Sequence, residues 1–398
     1  MDITSKFSDR VKHLEASAIR EIFKLLAKPG IISFAGGAPD PALFPTEELA
    51  EIAKEIFEKQ GNTALQYGIT EGYAPLREWV KARLVKQGIL TEDDPVIIVS
   101  GGQQGLALAS KALINEGDGV VCEQPSFIGG LNCFRSYNAE LFGVPVLSDG
   151  LDTDKLEQLL KEHKNIKLLY TISTFQNPSG ITISLEKRKK ILELADKYDI
   201  LIYEDNPYGE LRFKGEEIPT MKSMDKNGRV IYFGSFSKIL SPGMRIGFTS
   251  APAPLMERMV ICKQVSDVHT NVLSQMLAYE YVTRYSIDEH IEEARAIYGK
   301  KCNLMVECMD KYFPSEVKHT NPEGGIFIYC TMPDGFDSGE VMKKALEHGV
   351  AFVPGTACVI DDHAKSNAFR MNYSLASEEN IEKGIKALGE VLHEVMEV

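Results

Sequence analysis

Short apolar runs separated by stretches of helical spacing occupy the middle of this chain. Runs over 96–100, 120–122, 142–146, 167–172, 200–205, 230–233 and 246–249 read as strands, each bounded by Gly, Pro, Asn or Asp. Helical periodicity falls between them, over 106–114 and 185–198. Continuous apolar strands alternating with helices imply βαβ units and a mostly parallel sheet covered on both faces, an α/β fold. In such a sheet the loops at the carboxyl ends of the strands share one edge, where ligands bind.

The flanking stretches carry other patterns. Leu14, Ile19, Ile22, Phe23 and Leu26 have helical spacing over 13–27, and Pro29-Gly30 stops the helix. A short strand over 31–34 then runs into the Gly36-Gly37 loop. Thr46 is expected to cap a helix with Leu49, Ile52, Ala53, Ile56 and Phe57 on its inner face, and Pro75 to open another after the loop holding Tyr67. Beyond residue 253 helices dominate to about 312, with Ser286 as a joint. Strands around 327–330, 351–353 and 369–373 alternate with helices over 338–348 and from 378 onward, an α+β pattern. The expected division is an N-terminal arm and small-domain segment over 1–44, a large domain over 45–285 and a small domain over 286–398.

Composition narrows the function. The 398 residues are 44% hydrophobic and 25% charged, ordinary for a globular protein. A net charge of −13 repels polyphosphate, so nucleic acid is not an expected partner. The 7 cysteines show no CxxC or metal-like spacing and are expected to be reduced thiols of a cytoplasmic protein without a metal. Neither a signal-type apolar segment nor a run of membrane-spanning length occurs, so no membrane association is expected.

The chemistry lies at strand ends. After the run Val230-Ile231-Tyr232-Phe233 come Ser235, Ser237 and Lys238, then Pro242-Gly243-Met244-Arg245, two hydroxyls and two cations suited to an anionic phosphate. Strand 96–100 runs into Gly101-Gly102-Gln103 and a helix, a second anion-binding arrangement. Asn177, Asp205, Tyr208 and Phe127 each follow other strands. Singly, Asp205 and Asn177 are equally good turn formers and Phe127 a core residue. Together they would serve a ligand with a phosphate, an aldehyde, a phenolic oxygen and a ring nitrogen.

These motifs resemble the class I, fold-type I aminotransferases that use pyridoxal 5′-phosphate. Ser235-Phe236-Ser237-Lys238 with Arg245 is similar to that family's lysine motif, and Asn177-Pro178-Ser179-Gly180 to its asparagine motif. Ser17-Ala18-Ile19-Arg20-Glu21 and Leu65-Gln66-Tyr67 are similar to the 2-aminoadipate and kynurenine branch. The resemblance implies Lys238 as Schiff-base lysine and proton carrier, Asp205 on the pyridine nitrogen, and Tyr208 and Asn177 on the phenolic oxygen. It implies Phe127 stacked on the ring, and Ser235, Arg245, Gly102 and Gln103 on the phosphate, with Tyr67 reaching it from the second subunit of a homodimer. Gly37, Asn177, Arg370 and Arg20 would meet the substrate, Arg370 holding the α-carboxylate and Arg20 a distal one. Glycine at 102 departs from the serine of close relatives and removes a hydroxyl from the phosphate cup. The expected reaction is amino transfer from an L-amino acid (2-aminoadipate, glutamate, aromatic or branched-chain) to a 2-oxo acid such as 2-oxoglutarate. A β-lyase or decarboxylase on the same fold is the alternative. A third reading, the effector domain of a transcription regulator, needs a helix-turn-helix domain ahead of it, and only about thirty residues precede Phe34.

Overall fold

The computed structural model describes residues 3–12, 30–361 and 364–396. The expected helix over 13–27, with Arg20, lies outside them. β1 (Ile32–Ser33) is followed by eight strands of one sheet: β2 (Val96–Val99), β3 (Gly119–Gln124), β4 (Glu140–Leu147), β5 (Gly150–Leu151), β6 (Ile166–Thr171), β7 (Leu201–Asp205), β8 (Val230–Ser235) and β9 (Gly247–Ser250). They lie in the order β2-β9-β8-β7-β6-β3-β4-β5. The five from β8 to β4 are parallel, as the βαβ reading requires. β9 is an exception that a mostly parallel sheet allows: it pairs antiparallel with both β2 and β8. A short apolar run carries no direction, and the eleven-residue link from β8 holds no crossover helix to return the chain parallel. Because β9 opposes both neighbours, β2 points the same way as β8 and its carboxyl end joins the same edge.

Helices hold that edge in place. Ser184 caps Leu185–Tyr198 by accepting from the Lys187 amide, and Asp199 closes it in the left-handed region at φ 54°. Ser286 accepts from the Glu289 amide to begin the 26-residue helix Ile287–Tyr312. Two expectations for Thr46–Leu65 are corrected. Pro45 holds the cap position, so Thr46 is the first helical residue, and Phe57 is 48% exposed, one position past the stripe formed by Ile52 and Ile56.

The remaining strands, β10 (Lys318–His319), β11 (Phe327–Thr331), β12 (Val350–Ala351), β13 (Val353–Pro354) and β14 (Ala368–Asn372), make a small antiparallel sheet β10-β11-β14-β13 and a parallel pair of β1 with β12. The segment after β1 stays on these elements. Asn372 N donates to Phe34 O at 2.8 Å, and Lys301 Nζ reaches Asp40 at 2.6 Å and Ser374 O at 2.9 Å. This places Ala35, Gly36 and Gly37 opposite the carboxyl edge of the large sheet. No described helix is long and apolar enough to cross a membrane.

Candidate active site

The carboxyl edge brings together residues far apart in the chain. β8 ends at Ser235, two residues later than its apolar run indicates, and the turn after it holds Lys238. Lys238 Nζ donates to Gly37 O at 2.5 Å, so the Gly36-Gly37 loop reaches the lysine. Burial, then the nearby Arg370 and Arg245 cations, pull Lys238 down to about 8, while Asp205 opposes them. A neutral, nucleophilic amine is therefore accessible near physiological pH.

The anion corner forms where β2 meets β8. Gly101 adopts φ 79°, and a Cβ there would collide with the Arg245 guanidinium, so glycine lets the cation lie directly against the turn. Arg245 Nη2 donates to Ser100 O at 3.3 Å and Nη1 to Pro242 O at 3.2 Å. The helix Gly102–Leu113 begins here, one residue inside the glycine turn, and its first-turn amides face the same corner. A Cβ at Gly102 would meet nothing nearer than Asp205 Oδ1 at 4.0 Å, so the missing serine hydroxyl reflects no lack of room. Gln103 turns its side chain away, Nε2 donating to Gly129 O at 2.9 Å, which leaves its backbone amide for the corner. Ser235 Oγ accepts from the Ser237 amide at 3.1 Å.

Two adjacent acids on β7 point to opposite faces, as strand period demands. Glu204 accepts from Ser173 Oγ at 2.7 Å and from the amides of Met221 and Lys222 at 2.9 and 2.8 Å, which ties the following helix to the sheet. Asp205 points into the site, its Oδ2 accepting from Tyr170 Oη at 2.9 Å. Burial pushes its carboxyl up to about 6, while the Tyr170 bond and Lys238 hold it down. Sequence reasoning passed over Tyr170, which sits in the apolar run Leu168-Leu169-Tyr170, where a tyrosine looks like core. Removing its hydroxyl in Tyr170→Phe costs the carboxylate one charge-assisted bond, about 1.5 to 3 kcal/mol. The Asp205 titration should then move upward by about one to two pH units, as read by NMR of carboxyl-labelled aspartate in the cofactor-free protein. An unmoved titration would show that the bond does not set its acidity.

Arg370, 4% exposed on β14, crosses to the large sheet. Its Nη1 donates to Asn177 Oδ1 at 3.0 Å and Nη2 to Ala35 O at 2.7 Å, and its Cζ stands 4.3 Å from the centre of the Phe327 ring. Its Nε is buried without a partner. Asn177 Nδ2 lies 3.5 Å from Tyr208 Oη, and Tyr208 packs edge-on against Phe327. Gly37 lies on the same ring, since a Cβ there would be 3.4 Å from Phe327 Cζ. Phe127 precedes the helix Ile128–Arg135 at the end of β3.

Tyr67 stands apart, 81% exposed and edge-on to His269 at 5.8 Å between centres. Besides Tyr170, sequence reasoning missed Glu123 at the end of β3, buried at 1% exposure. A charged residue closing the apolar run Val120-Val121-Cys122 was the available signal.

Residues 30–388 match the family described as aminotransferase class I and II. The chain is 42% identical to the aromatic-amino-acid aminotransferase 1 of Thermococcus litoralis, over 100% of this chain and 96% of that protein. Among solved structures, the kynurenine aminotransferase of Pyrococcus horikoshii, in complex with PMP, superposes with a TM-score of 0.96 at 41% identity, covering 100% of this chain and 99% of that one. The α-aminoadipate aminotransferase of Thermus thermophilus, complexed with N-(5′-phosphopyridoxyl)-L-leucine, superposes with a TM-score of 0.91 at 36% identity, covering 100% of both.

Proposed function

The chain belongs to the class I and II aminotransferases, and from that premise we propose that it moves the amino group of acidic and aromatic L-amino acids to 2-oxoglutarate or a similar 2-oxo acid. It is an amino-acid aminotransferase of fold type I, and its cofactor is pyridoxal 5′-phosphate. When bound, that group supplies an aldehyde to take up the amine and a protonated ring to accept the electrons freed at Cα.

The residues present fit it. The corner of Gly101, Gly102, Gln103, Ser235 and Arg245 has the donors for a phosphate, and Asp205 borders it, its Oδ1 4.0 Å from where a Cβ on Gly102 would stand. Asp205, ionised above about 6, would hold a proton on the ring nitrogen. Tyr208 and Asn177 would donate to the phenolic oxygen, and Phe127 would cover one ring face. Lys238 would hold the aldehyde, then carry the proton between Cα and the cofactor carbon. The observation that carries the reading is Arg370. A buried guanidinium facing Asn177, with its Nε unpaired, is built to receive a carboxylate bidentately, and it stands on the small sheet opposite Lys238.

The same reading makes the enzyme a cytoplasmic homodimer. Its support is the outward-facing apolar set of Leu65, Tyr67 and Val265, exposed at 74%, 81% and 70%; in the dimer Tyr67 would reach the partner's phosphate. Seven free thiols, six of them buried, agree with a reducing compartment. The division at residues 45 and 286 belongs to this reading too.

Arg20 is the proposed reader of a distal carboxylate. One bond to a charged group is worth about 1.5 to 3 kcal/mol, and about 1.4 kcal/mol is tenfold. Arg20→Ala should therefore lower kcat/KM for 2-aminoadipate and glutamate by roughly one to two orders of magnitude while sparing leucine and phenylalanine. An equal fall for all four, or none, would remove Arg20 from the specificity account.

A further inference from the structure

Beneath the site, between the ends of β3 and β6, lies a buried polar cluster outside the reacting corner. Glu123 Oε1 accepts from Thr171 Oγ1 at 2.5 Å, and Oε2 accepts from Gln176 Nε2 at 3.0 Å and from the Ile172 amide at 3.3 Å. Gln176, 1% exposed, joins both neighbouring loops. Its Nε2 also donates to Pro125 O at 2.8 Å, and its Oε1 accepts from the Ser179 amide at 2.8 Å. Pro125 precedes Phe127 by two residues, and Ser179 follows Asn177 by two. The cluster therefore crosslinks the exits of two adjacent parallel strands just below the two site loops they carry. Burying a carboxyl costs several kcal/mol unless it is well bonded, and a packing role at this position is met by leucine or valine.

We propose that Glu123, acting through Gln176, is a positioning residue for amino transfer: its ionised carboxylate ties the Phe127 loop to the Asn177 loop and so places the Asn177 amide that meets Arg370 and Tyr208. Three donors converge on Glu123, a set that suits a carboxylate; a proton on Oε1 would have to be received by Thr171 Oγ1, which would then give up its own donation. Burial pushes this carboxyl up to about 7; Thr171, Gln176 and the Ile172 amide pull it down, and Asp205 on β7 pushes it up. Tyr170 on β6 and Cys122 on β3 also feel its charge. The tie is thus complete above neutrality and weakens as pH falls below it.

The inference rests on the proposed role of Asn177 for its kinetic readout alone. The variants are Glu123→Gln, whose amide can accept from Gln176 and donate to Thr171 and so imitates the protonated form, and Gln176→Leu, which cuts the tie. In the holoenzyme, Gln176→Leu should raise KM for the amino donor about tenfold, the worth of roughly one net bond. Its kcat should stay within a few-fold, and its cofactor affinity, by absorbance titration of the apoprotein, should fall no further than KM rises, since Asn177 and Phe127 would also meet the cofactor. Wild-type KM should rise as pH falls below about 7, and Glu123→Gln should hold the raised value at every pH. A readout independent of activity is the melting temperature of the cofactor-free protein. A folded carboxyl raised from 4.5 to about 7 gives stability that is present at low pH and lost as pH rises through that window. The wild-type decline should therefore be steeper than that of Glu123→Gln. Unchanged KM in both variants, or a joint fall in kcat and cofactor affinity with the melting slopes equal, would make Glu123 purely structural and overturn the proposal. Absence of amino transfer in the wild type would instead overturn the functional reading, and the melting slopes would still decide whether Glu123 titrates.

Discussion

Replacing Lys238 by alanine is expected to abolish amino transfer while leaving the protein folded. Lys238 makes one side-chain hydrogen bond, to Gly37 O, and its removal opens no core cavity, since the amine faces the site. The chemical loss is large because one residue would have two tasks, holding the aldehyde and moving the Cα proton. Loss of a general base alone costs roughly 10² to 10⁴ in rate, and loss of the covalent anchor adds to it. Coupled assays with 2-oxoglutarate should show turnover at or below that floor, beside a circular dichroism spectrum and melting temperature like those of wild type. Turnover near wild type would remove Lys238 from the chemistry.

Asp205→Asn is expected to retain the cofactor and lose roughly 10² to 10³ in kcat, the scale seen when one aligned electrostatic contact to the reacting centre is removed. A neutral amide cannot hold a proton on the ring nitrogen. The same variant should carry an opposite signature in stability. The Asp205 carboxyl is raised from 3.8 to about 6, so in the cofactor-free protein its stability contribution is present at low pH and lost as pH rises through 6. Above that pH the ionised side chain is a cost, and Asp205→Asn should melt no lower than wild type. A variant that regained full rate once saturated with cofactor would show that Asp205 only binds.

The sequence exposed the parts of this fold that rest on periodicity and missed those that rest on partners. Leu185–Tyr198 has the bounds its helical spacing predicts, and β6 and β7 follow runs that read as buried strands. The direction of β9 was illegible because a run as short as Ile246-Gly247-Phe248-Thr249 reads alike either way. Phe57 failed for a related reason: neighbouring apolar positions on a helix differ by about a hundred degrees, and only packing decides which is the edge. At the site, Lys238, Asp205 and Asn177 drew attention as polar residues following apolar runs, whereas Arg370, in the middle of β14, was reached only through the family resemblance. Tyr170 hides its hydroxyl at the tip of an apolar body, and Glu123 acquires meaning only from Thr171 and Gln176, 48 and 53 residues away.

The central claim is most directly tested by a single half-reaction. The purified protein, loaded with pyridoxal 5′-phosphate and freed of excess, is mixed with 2-aminoadipate and no oxo acid, while cofactor absorbance and products are followed together. The account predicts conversion of the cofactor to its amine form, one 2-oxo acid released per site, and recovery of the original spectrum on adding 2-oxoglutarate. Release of carbon dioxide with the cofactor unconverted, or no spectral change, would contradict it.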